Sequence, residues 1–355
     1  MRENQNNYDA LRLIGALLVL VNHSLALSLA TPLAALGQSI STLGVKLFFA
    51  ISGYLIATSW MRDAHPVRFA LRRARRIMPA LCVVVVLSIA VIGPIFTTLD
   101  LWTYASHPFI IRYLGNIIFY VSYSLPGVFA DNPYPHAVNG SLWTMPVEVA
   151  MYAMVPLLIF AARRHALLIA SLFVVATSLS MYFLIAGPTP WVIAGTEFWT
   201  AANLAPYFVG GAALAGLRLE RLLDWRLAVV LLALFQFIHP IFGIWHEAVL
   251  AVVLPYAAIA IGRARWPVVA RAGRYGDFSY GIYLWSFPIQ QIVAALAGGQ
   301  MSGWGNAAWT FPAALAMAIL SWHLVEKHAL AWRSAATLPA SQPARRSIVN
   351  TRDTP

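Results

Sequence analysis

The chain has 355 residues, of which 60% are hydrophobic and only 10% are charged, against about 25% charged in an average soluble domain. Its mean hydropathy of +0.70 excludes an ordinary soluble protein and is typical of a chain that lies mostly in lipid. The net charge of +11 does not indicate a nucleic-acid partner, and we expect none, because basic residues also set membrane topology. The single cysteine, Cys82, excludes an internal disulfide and a cysteine metal site.

Apolar stretches long enough to cross the hydrocarbon layer recur about ten times along the chain. The predicted spans are 10–30, 38–60, 78–97, 142–162, 166–186, 200–217, 227–244, 246–262, 278–297 and 306–325. We therefore predict an all-α polytopic membrane protein with one transmembrane domain over residues 1–334. The segment 335–355, rich in Ser, Pro, Ala and Arg, is predicted to be a disordered cytoplasmic tail.

The positions of the basic residues predict the orientation. A cytoplasmic N-terminus followed by ten spans places 21 of the 24 Lys and Arg residues on the cytoplasmic side, as the positive-inside rule requires, and both termini are then cytoplasmic. The segment 108–125 is apolar enough to suggest an eleventh span, but a crossing there would move 14 downstream cations outside. We therefore predict a re-entrant or interfacial segment within one long external loop.

The first span carries two ionisable residues at membrane depth, Arg12 and His23. Ionisable groups at this depth are candidates for function because they are costly unless paired. Eleven residues bring the two side chains within about 20° of one helix face and about 16 Å apart. A guanidinium suited to phosphate and an imidazole suited to proton transfer would then share one groove. The alternative is an arginine that reaches the interface and a histidine hydrogen-bonded between helices.

Glu148, in the fourth predicted span, lies at a depth similar to that of His23, about 10 Å from the external face. A carboxylate level with an imidazole can fix its tautomer and stabilise the imidazolium that forms when histidine removes a proton from a hydroxyl. Lys46, in the second span, is the rival charge partner for Glu148. The sequence leaves these two pairings open.

Six arginines lie within residues 62–76. Topology and anionic lipid account for most such clusters, and capture of a soluble polyphosphate is the alternative. Arg73 and Arg76, three residues apart, could share one helix face for that purpose. The loop 98–141 is rich in aromatic residues, for which an interfacial belt and a sugar-stacking platform are the two interpretations.

Familiar catalytic motifs are missing from the sequence. It contains no GxSxG, HExxH, Walker or GxGxxG motif in the required context, and its histidines do not form a recognisable metal set. We therefore predict no metal cofactor.

Several motifs occur together in an order that resembles the integral-membrane acyltransferase family 3, which includes O-acetyltransferases of bacterial surface polysaccharides. The matching stretches are Tyr8-Asp-Ala-Leu-Arg12 with His23, Gly44-Val-Lys-Leu-Phe-Phe-Ala-Ile-Ser-Gly53, Arg72-Arg-Ala-Arg-Arg-Ile-Met-Pro79, Ser141-Leu-Trp-Thr-Met-Pro-Val-Glu148 with Tyr152, Ser279-Tyr-Gly-Ile-Tyr-Leu-Trp-Ser-Phe-Pro288 and Ser321-Trp-His-Leu-Val-Glu326-Lys. The likeness extends from residue 8 to about residue 327.

The resemblance implies transfer of an acyl group, usually acetyl, from cytoplasmic acetyl-CoA to a hydroxyl of a surface polysaccharide, O-antigen, exopolysaccharide or glycolipid precursor. It implies a multi-pass protein of the bacterial inner membrane. His23 matches the essential histidine of the family and Glu148 the acid that follows the Ser-Leu-Trp motif. Arg12 matches the arginine partner of that histidine, and Arg73 and Arg76 match the cytoplasmic Arg-x-x-Arg motif of the family. We expect these three arginines to bind the cofactor.

Two positions depart from the family pattern. Lys46 stands where many relatives carry an acid, so it is only a candidate charge partner, and Ser286 stands where many carry histidine, so no second catalytic histidine is expected there.

Two mechanisms and one competing function remain open at this level. His23, oriented by Glu148, is expected to act as general base on the acceptor hydroxyl, and a covalent acyl-histidine is the rival mechanism. The competing function is a proton-coupled transporter or flippase that would use the same intramembrane charges. The sequence does not indicate the oligomeric state.

Overall fold

The structure is a computed structural model that describes residues 6–331. Its described part is mostly helical, in agreement with the all-α prediction. The long helices are α1 (Tyr8–Leu27), α2 (Ile40–Arg62), α3 (Pro66–Leu87), α7 (Thr144–Arg164), α8 (Ala166–Ala186), α9 (Phe198–Gly216), α10 (Trp225–Ile238), α11 (His246–Arg263), α12 (Ser279–Leu296) and α13 (Gly303–Ser321). Two of the predictions lie outside the described residues: the tail over 335–355 and its boundary at residue 334. So do five of the cations predicted to be cytoplasmic, Arg2, Arg333, Arg345, Arg346 and Arg352.

Each of the ten predicted spans coincides with a helix, but within residues 6–331 seven helices are long and apolar enough to cross a membrane. Those seven are Tyr8–Leu27, Ile40–Arg62, Pro66–Phe96, Gly140–Arg164, Ala166–Ala186, His246–Arg263 and Gly303–Ala331. Helices α9, α10 and α12 fall outside that set, and α10 has only 14 residues. The count of ten crossings and the positions of the termini stay predictions.

Short elements fill the connections. Helix α3 continues through a π-helical turn, Ser88–Ile92, into α4 (Gly93–Phe96), and α13 continues through a second π turn, Trp322–Glu326, into α14 (Lys327–Ala331). Two hairpins, β1 (Ala34–Ala35) with β2 (Gln38–Ser39) and β3 (Val192–Ile193) with β4 (Thr196–Glu197), are antiparallel. Both turn through two residues with positive φ, as two-residue hairpins require.

The apolar segment predicted as re-entrant or interfacial folds as α6 (Pro108–Leu114), followed by a 3-10 turn over Gly115–Ile118. It follows α5 (Leu101–Ser106) and precedes a 3-10 turn, Gly140–Trp143, that leads into α7. At 1.5 Å per residue, a helical segment of this length is too short to cross the hydrocarbon layer. The geometry agrees with the absence of a crossing here, and its depth in the membrane stays a prediction.

Small residues bring α2 close to two neighbouring helices. A methyl group added at Gly44 would lie 2.5 Å from the Gly15 carbonyl oxygen of α1, and one added at Gly53 would overlap the Phe208 carbonyl oxygen of α9. Close backbone approach at small residues is the usual way in which helices pack inside membranes. These contacts fix α1 and α9 against α2.

Candidate active site

A cavity of about 280 Å³ lies between α1, α2, α3, α7 and α12. One end of it carries the guanidinium groups of Arg12, Arg72, Arg73, Arg75 and Arg76. This end is called the arginine mouth below. Helix α3 supplies four of these arginines, which all lie in the five-residue run 72–76. Arg12 projects from the start of α1. The arrangement suits an anionic ligand that inserts a narrower, less polar part between the helices.

Asp277, in the loop before α12, organises two of these arginines. Its Oδ2 atom lies 2.5 Å from Nη2 of Arg76 and 3.4 Å from Nη1 of Arg12, and its Oδ1 accepts hydrogen bonds from the backbone and side chain of Ser279. Burial alone raises the pKa of Asp277, but Arg76, Arg12 and the Ser279 bonds outweigh it and hold the pKa below its usual range. Arg76 also donates to Glu326 at 3.1 Å.

The other arginines of the mouth divide into paired and unpaired groups. Arg72 is held by Asp63, in the loop between α2 and α3, at 2.5 Å. Hydrogen bonds from Arg68 and Arg72 hold the pKa of Asp63 well below its usual range. In the part of the chain that the structure describes, Arg73 and Arg75 make no ion pair or side-chain hydrogen bond, and the Arg73 Nε atom is buried without a partner. These two guanidinium groups are therefore available to a ligand.

Glu148 projects from α7 into the middle of the cavity. Its carboxylate accepts a short hydrogen bond from the hydroxyl of Tyr152, which lies one turn further along the same helix. Ser52, on the facing side of α2, and Tyr280, on α12, line the same stretch. The middle of the cavity thus combines one carboxylate with hydroxyl groups, a set that can orient a polar group passing between the helices.

Aromatic side chains line the end of the cavity that is farthest from the arginine mouth. The rings of Phe48 and Tyr283 meet edge to face with centroids 5.9 Å apart. The Tyr283 hydroxyl lies 2.8 Å from the Thr144 hydroxyl and 3.0 Å from the Ser141 carbonyl oxygen, which accepts a hydrogen bond from it. These bonds fix the Tyr283 ring at the inner end of the cavity.

His23 lies beyond this aromatic end. The cavity is lined by Tyr283 but not by Phe287 one turn further along α12, and it is Phe287 that contacts the His23 ring, edge to face with centroids 5.6 Å apart. The His23 Nδ1 atom is buried and makes no hydrogen bond. His23 is thus a half-buried imidazole with an unused nitrogen, about one helical turn from the end of the cavity.

The contact predicted between His23 and Glu148 is not formed in the structure. The Glu148 carboxylate is bonded to Tyr152, and Nδ1 of His23 has no partner. The depths inferred for the two residues stay predictions, and depth does not determine which way a side chain turns. The structure brings Arg12, Arg73, Arg76 and Glu148 to one cavity and leaves His23 just outside it.

The interpretation of Lys46 as a partner for Glu148 is wrong. The ammonium group of Lys46 lies 2.7 Å from the carboxylate of Glu247, the second residue of α11, and both side chains are buried. Tyr207 donates to the same carboxylate at 2.7 Å, and Gln38 bonds to both ions. Helix α2 turns Lys46 away from the cavity and towards α11, where Glu247 compensates its charge.

Four residues of this site went unassigned in the sequence: Asp277, Arg75, Tyr283 and Tyr152. Arg75 belongs to the run of six arginines within residues 62–76, and this position in the sequence could have identified it. The role of Asp277 depends on contacts with residues more than 200 positions away, and no local pattern marks it. Among residues 6–331, no group of three or more His, Cys, Asp or Glu side chains is placed to hold a metal ion.

Known proteins resemble the chain over most of its length. It is 29% identical to the O-acetyl transferase of Shigella phage Sf6, an alignment that covers 92% of this chain and 96% of the relative. It is also 29% identical to Nodulation protein 10 of Rhizobium leguminosarum bv. viciae, over 93% of this chain and 95% of the relative. No solved structure matches the chain.

The family model described as "Acyltransferase domain" matches residues 5–326. That range contains the arginine mouth, His23 and all of the cavity lining except Leu330, and its helices are those of a multi-pass membrane protein. The family resemblance expected from the sequence motifs is confirmed. The chain belongs to the acyltransferase domain family and is a membrane acyltransferase.

Proposed function

We propose that the protein is an O-acetyltransferase that moves an acetyl group from acetyl-CoA to a hydroxyl of a carbohydrate or glycolipid acceptor, as part of surface polysaccharide, O-antigen or exopolysaccharide modification. The observation that carries the proposal is the cavity that connects unpaired guanidinium groups to the neighbourhood of His23. The name of the phage relative supports the acetyl group and the oxygen acceptor.

In this proposal the coenzyme phosphates bind at the arginine mouth. Arg73 and Arg75 supply free guanidinium groups, and charge-assisted bonds between guanidinium and phosphate are among the stronger polar contacts in proteins. Arg12 and Arg76 also line the cavity, and their ion pairs with Asp277 keep them in place. The pantetheine arm then extends along Glu148 and Tyr152, so that the thioester approaches the end of the cavity at Tyr283.

His23 acts as the general base. Its imidazole removes the proton of the acceptor hydroxyl, the hydroxyl oxygen forms a bond to the acetyl carbonyl carbon, and the carbon–sulfur bond of the thioester breaks. The leaving thiolate of the coenzyme takes the proton from the imidazolium, so the reaction is balanced without any further cofactor. The unused Nδ1 of His23 is consistent with such a role.

Glu148 has a supporting role in the proposal. Catalytic hydrogen bonds are often absent from the unliganded enzyme and form only in the substrate complex. We place Glu148 as the carboxylate that turns from Tyr152 when the donor enters, and that stabilises the protonated imidazole of His23. The reaction then requires the negative charge of Glu148, and not merely a side chain of similar size that can form hydrogen bonds.

The proposed location is the bacterial inner membrane, with both termini in the cytoplasm and the arginine mouth facing the cytoplasmic pool of acetyl-CoA. The basic segment of α3 supports this orientation through the positive-inside rule. His23 then lies towards the external side, where a surface glycan or its lipid-linked precursor would be presented.

The test is acetyl transfer by the purified full-length chain. Radiolabelled acetyl-CoA is mixed with de-O-acetylated polysaccharide from the host strain, and label in the polysaccharide is counted after rapid quench. Wild-type protein is expected to transfer label and His23→Ala to lose transfer by about a thousandfold or more. His328→Ala, an exposed histidine far along the chain in α14, is the matched control and is expected to retain activity.

Three outcomes contradict parts of the proposal. Label that stays on wild-type protein without acceptor, and is absent from His23→Ala, indicates the acyl-histidine mechanism instead. Retention of transfer by His23→Ala removes His23 from the site. Accumulation of a substrate in vesicles without loss of thioester indicates the transporter or flippase.

A further inference from the structure

A short loop on the far side of the bundle, residues 132–139, is fixed to α12 by buried amides. Asn132 donates from its side chain to the backbone and side-chain oxygens of Gln291, both at 2.9 Å. Gln291 donates back to the carbonyl oxygens of Tyr134 at 2.8 Å and Ala137 at 2.6 Å. Asn139 donates to the Leu284 carbonyl oxygen at 2.9 Å.

This loop fixes the backbone of an aromatic residue whose side chain is exposed. Tyr134 stands between Pro133 and Pro135, whose rings restrict the backbone, and the Tyr134 side chain is 48% exposed. Buried amides are costly unless they are bonded. Asn132 and Gln291 are both buried, so the bundle uses internal polar groups to position the backbone that carries an exposed ring.

The ring of Tyr134 is connected to His23 through one other aromatic side chain. Its centroid lies 6.2 Å from that of Phe287, and the centroid of Phe287 lies 5.6 Å from that of His23. Phe287 is buried, and a methyl group at Gly140 would lie 2.5 Å from its ring. The three rings form a fixed row from the exposed surface to the imidazole with the unpaired Nδ1.

The row opens on the side of the bundle opposite the arginine mouth. Helix α12 begins next to Asp277, which holds Arg12 and Arg76, whereas Phe287 and Gln291 lie two and three turns further along it. The donor cavity ends at Tyr283, before Phe287. His23 is therefore approached from one side by the donor cavity and from the other by the aromatic row.

We infer that Tyr134 is the acceptor-binding residue of this enzyme: its ring stacks on the C–H face of a sugar residue of the acceptor and orients a hydroxyl towards the His23 end of the row. This inference rests on the proposed function and adds a substrate-binding residue to it. An exposed, rigid aromatic ring with an amphipathic edge suits a pyranose, which has an apolar face and a hydroxylated rim. An interfacial belt would not need a loop backbone fixed by buried amides, or a ring in contact with the neighbour of His23.

The experiment compares acceptor and donor kinetics of the full-length enzyme. The probe is de-O-acetylated polysaccharide from the host strain, cut to short fragments, with radiolabelled acetyl-CoA as donor. For Tyr134→Ala we expect the KM for the fragments to rise about five- to tenfold, the loss expected for one aromatic stacking contact. The KM for acetyl-CoA is expected to stay within about twofold of wild type.

Two further variants keep the test decisive. Tyr134→Trp retains an aromatic face and is expected to keep the acceptor KM near wild type, whereas Tyr134→Leu keeps apolar bulk without a ring and is expected to behave like the alanine variant. Tyr120→Ala is the matched control, because Tyr120 is similarly exposed, at 52%, and lies in the same external region without a ring contact to this row.

An unchanged acceptor KM in Tyr134→Ala, with wild-type transfer intact, overturns the inference and leaves the proposed function standing. An equal rise in acceptor KM for Tyr120→Ala assigns the effect to an interfacial belt and also overturns it. If wild-type enzyme transfers no label to the fragments, the proposed function and this inference fail together.

Discussion

Asp277 and Arg76 form an ion pair at the arginine mouth, with Oδ2 and Nη2 2.5 Å apart, and the same carboxylate lies 3.4 Å from Arg12. One acidic residue thus fixes two guanidinium groups from the beginnings of α1 and α3. Because Asp277 also caps the first turn of α12 through Ser279, the geometry of the mouth and the position of α12 depend on each other.

Asp277→Asn is expected to lower the stability of the folded protein by about 3 kcal/mol, the lower end for loss of one partner from a buried pair. The change leaves Arg76 and Arg12 without their shared counterion. Thermal unfolding in detergent measures the loss. Asp224→Asn, in an exposed loop, is the control, and an equal loss in that variant would contradict the assignment.

The same pair predicts a pH dependence. The pKa of Asp277 is lower in the folded protein than its ordinary value of about 4, so its stabilising contribution is complete above about pH 4 and is lost as the pH falls through the folded-state pKa. Wild-type protein is expected to lose more stability than Asp277→Asn between about pH 5 and pH 2. An equal loss of stability in the two proteins over this pH range would contradict the prediction.

Arg73 and Arg76 are expected to respond differently to substitution although both line the cavity. Arg73 has no ion pair to lose, so Arg73→Ala should raise the KM for acetyl-CoA about ten- to hundredfold, the range for a charged hydrogen bond to phosphate, with unfolding nearly unchanged. Arg76→Ala should lower stability because it removes the ion pair of Glu326 and the shorter of the two ion pairs of Asp277. Donor kinetics and thermal unfolding on the same preparations separate the two effects.

Much of this site could be predicted from local patterns, since the residues involved lie on continuous helices. Arg12 and His23 do share α1, and Arg73 and Arg76 do face one cavity. Pairings between distant segments could not be predicted. Lys46 pairs with Glu247 of α11 and not with Glu148, a choice that depends on how α2 packs against α11 and that no local pattern marks.

The pair between Lys46 and Glu247 is expected to be structural. Glu247→Gln should destabilise the protein by about 3–5 kcal/mol because it leaves a buried ammonium group uncompensated, and Lys46→Met combined with Glu247→Gln should recover part of that loss. For both variants, kcat per mole of folded protein is expected to stay close to the wild-type value. A large fall in kcat for Lys46→Met at unchanged stability would instead indicate a catalytic role for Lys46.

Glu148 and His23 are expected to act as a unit during transfer although the unliganded structure holds them apart. Glu148→Gln preserves the hydrogen-bonding shape towards Tyr152 and removes only the charge, so its stability should remain near wild type while acetyl transfer falls about a hundredfold. If the carboxylate acts through His23, the double variant His23→Ala/Glu148→Gln should lose no more activity than His23→Ala alone, because groups that act together are not additive. Independent roles would make the two losses multiply. Rapid-quench transfer to the host polysaccharide, normalised to folded protein, distinguishes these outcomes, and additive losses would place Glu148 on the donor side of the cavity rather than beside the base.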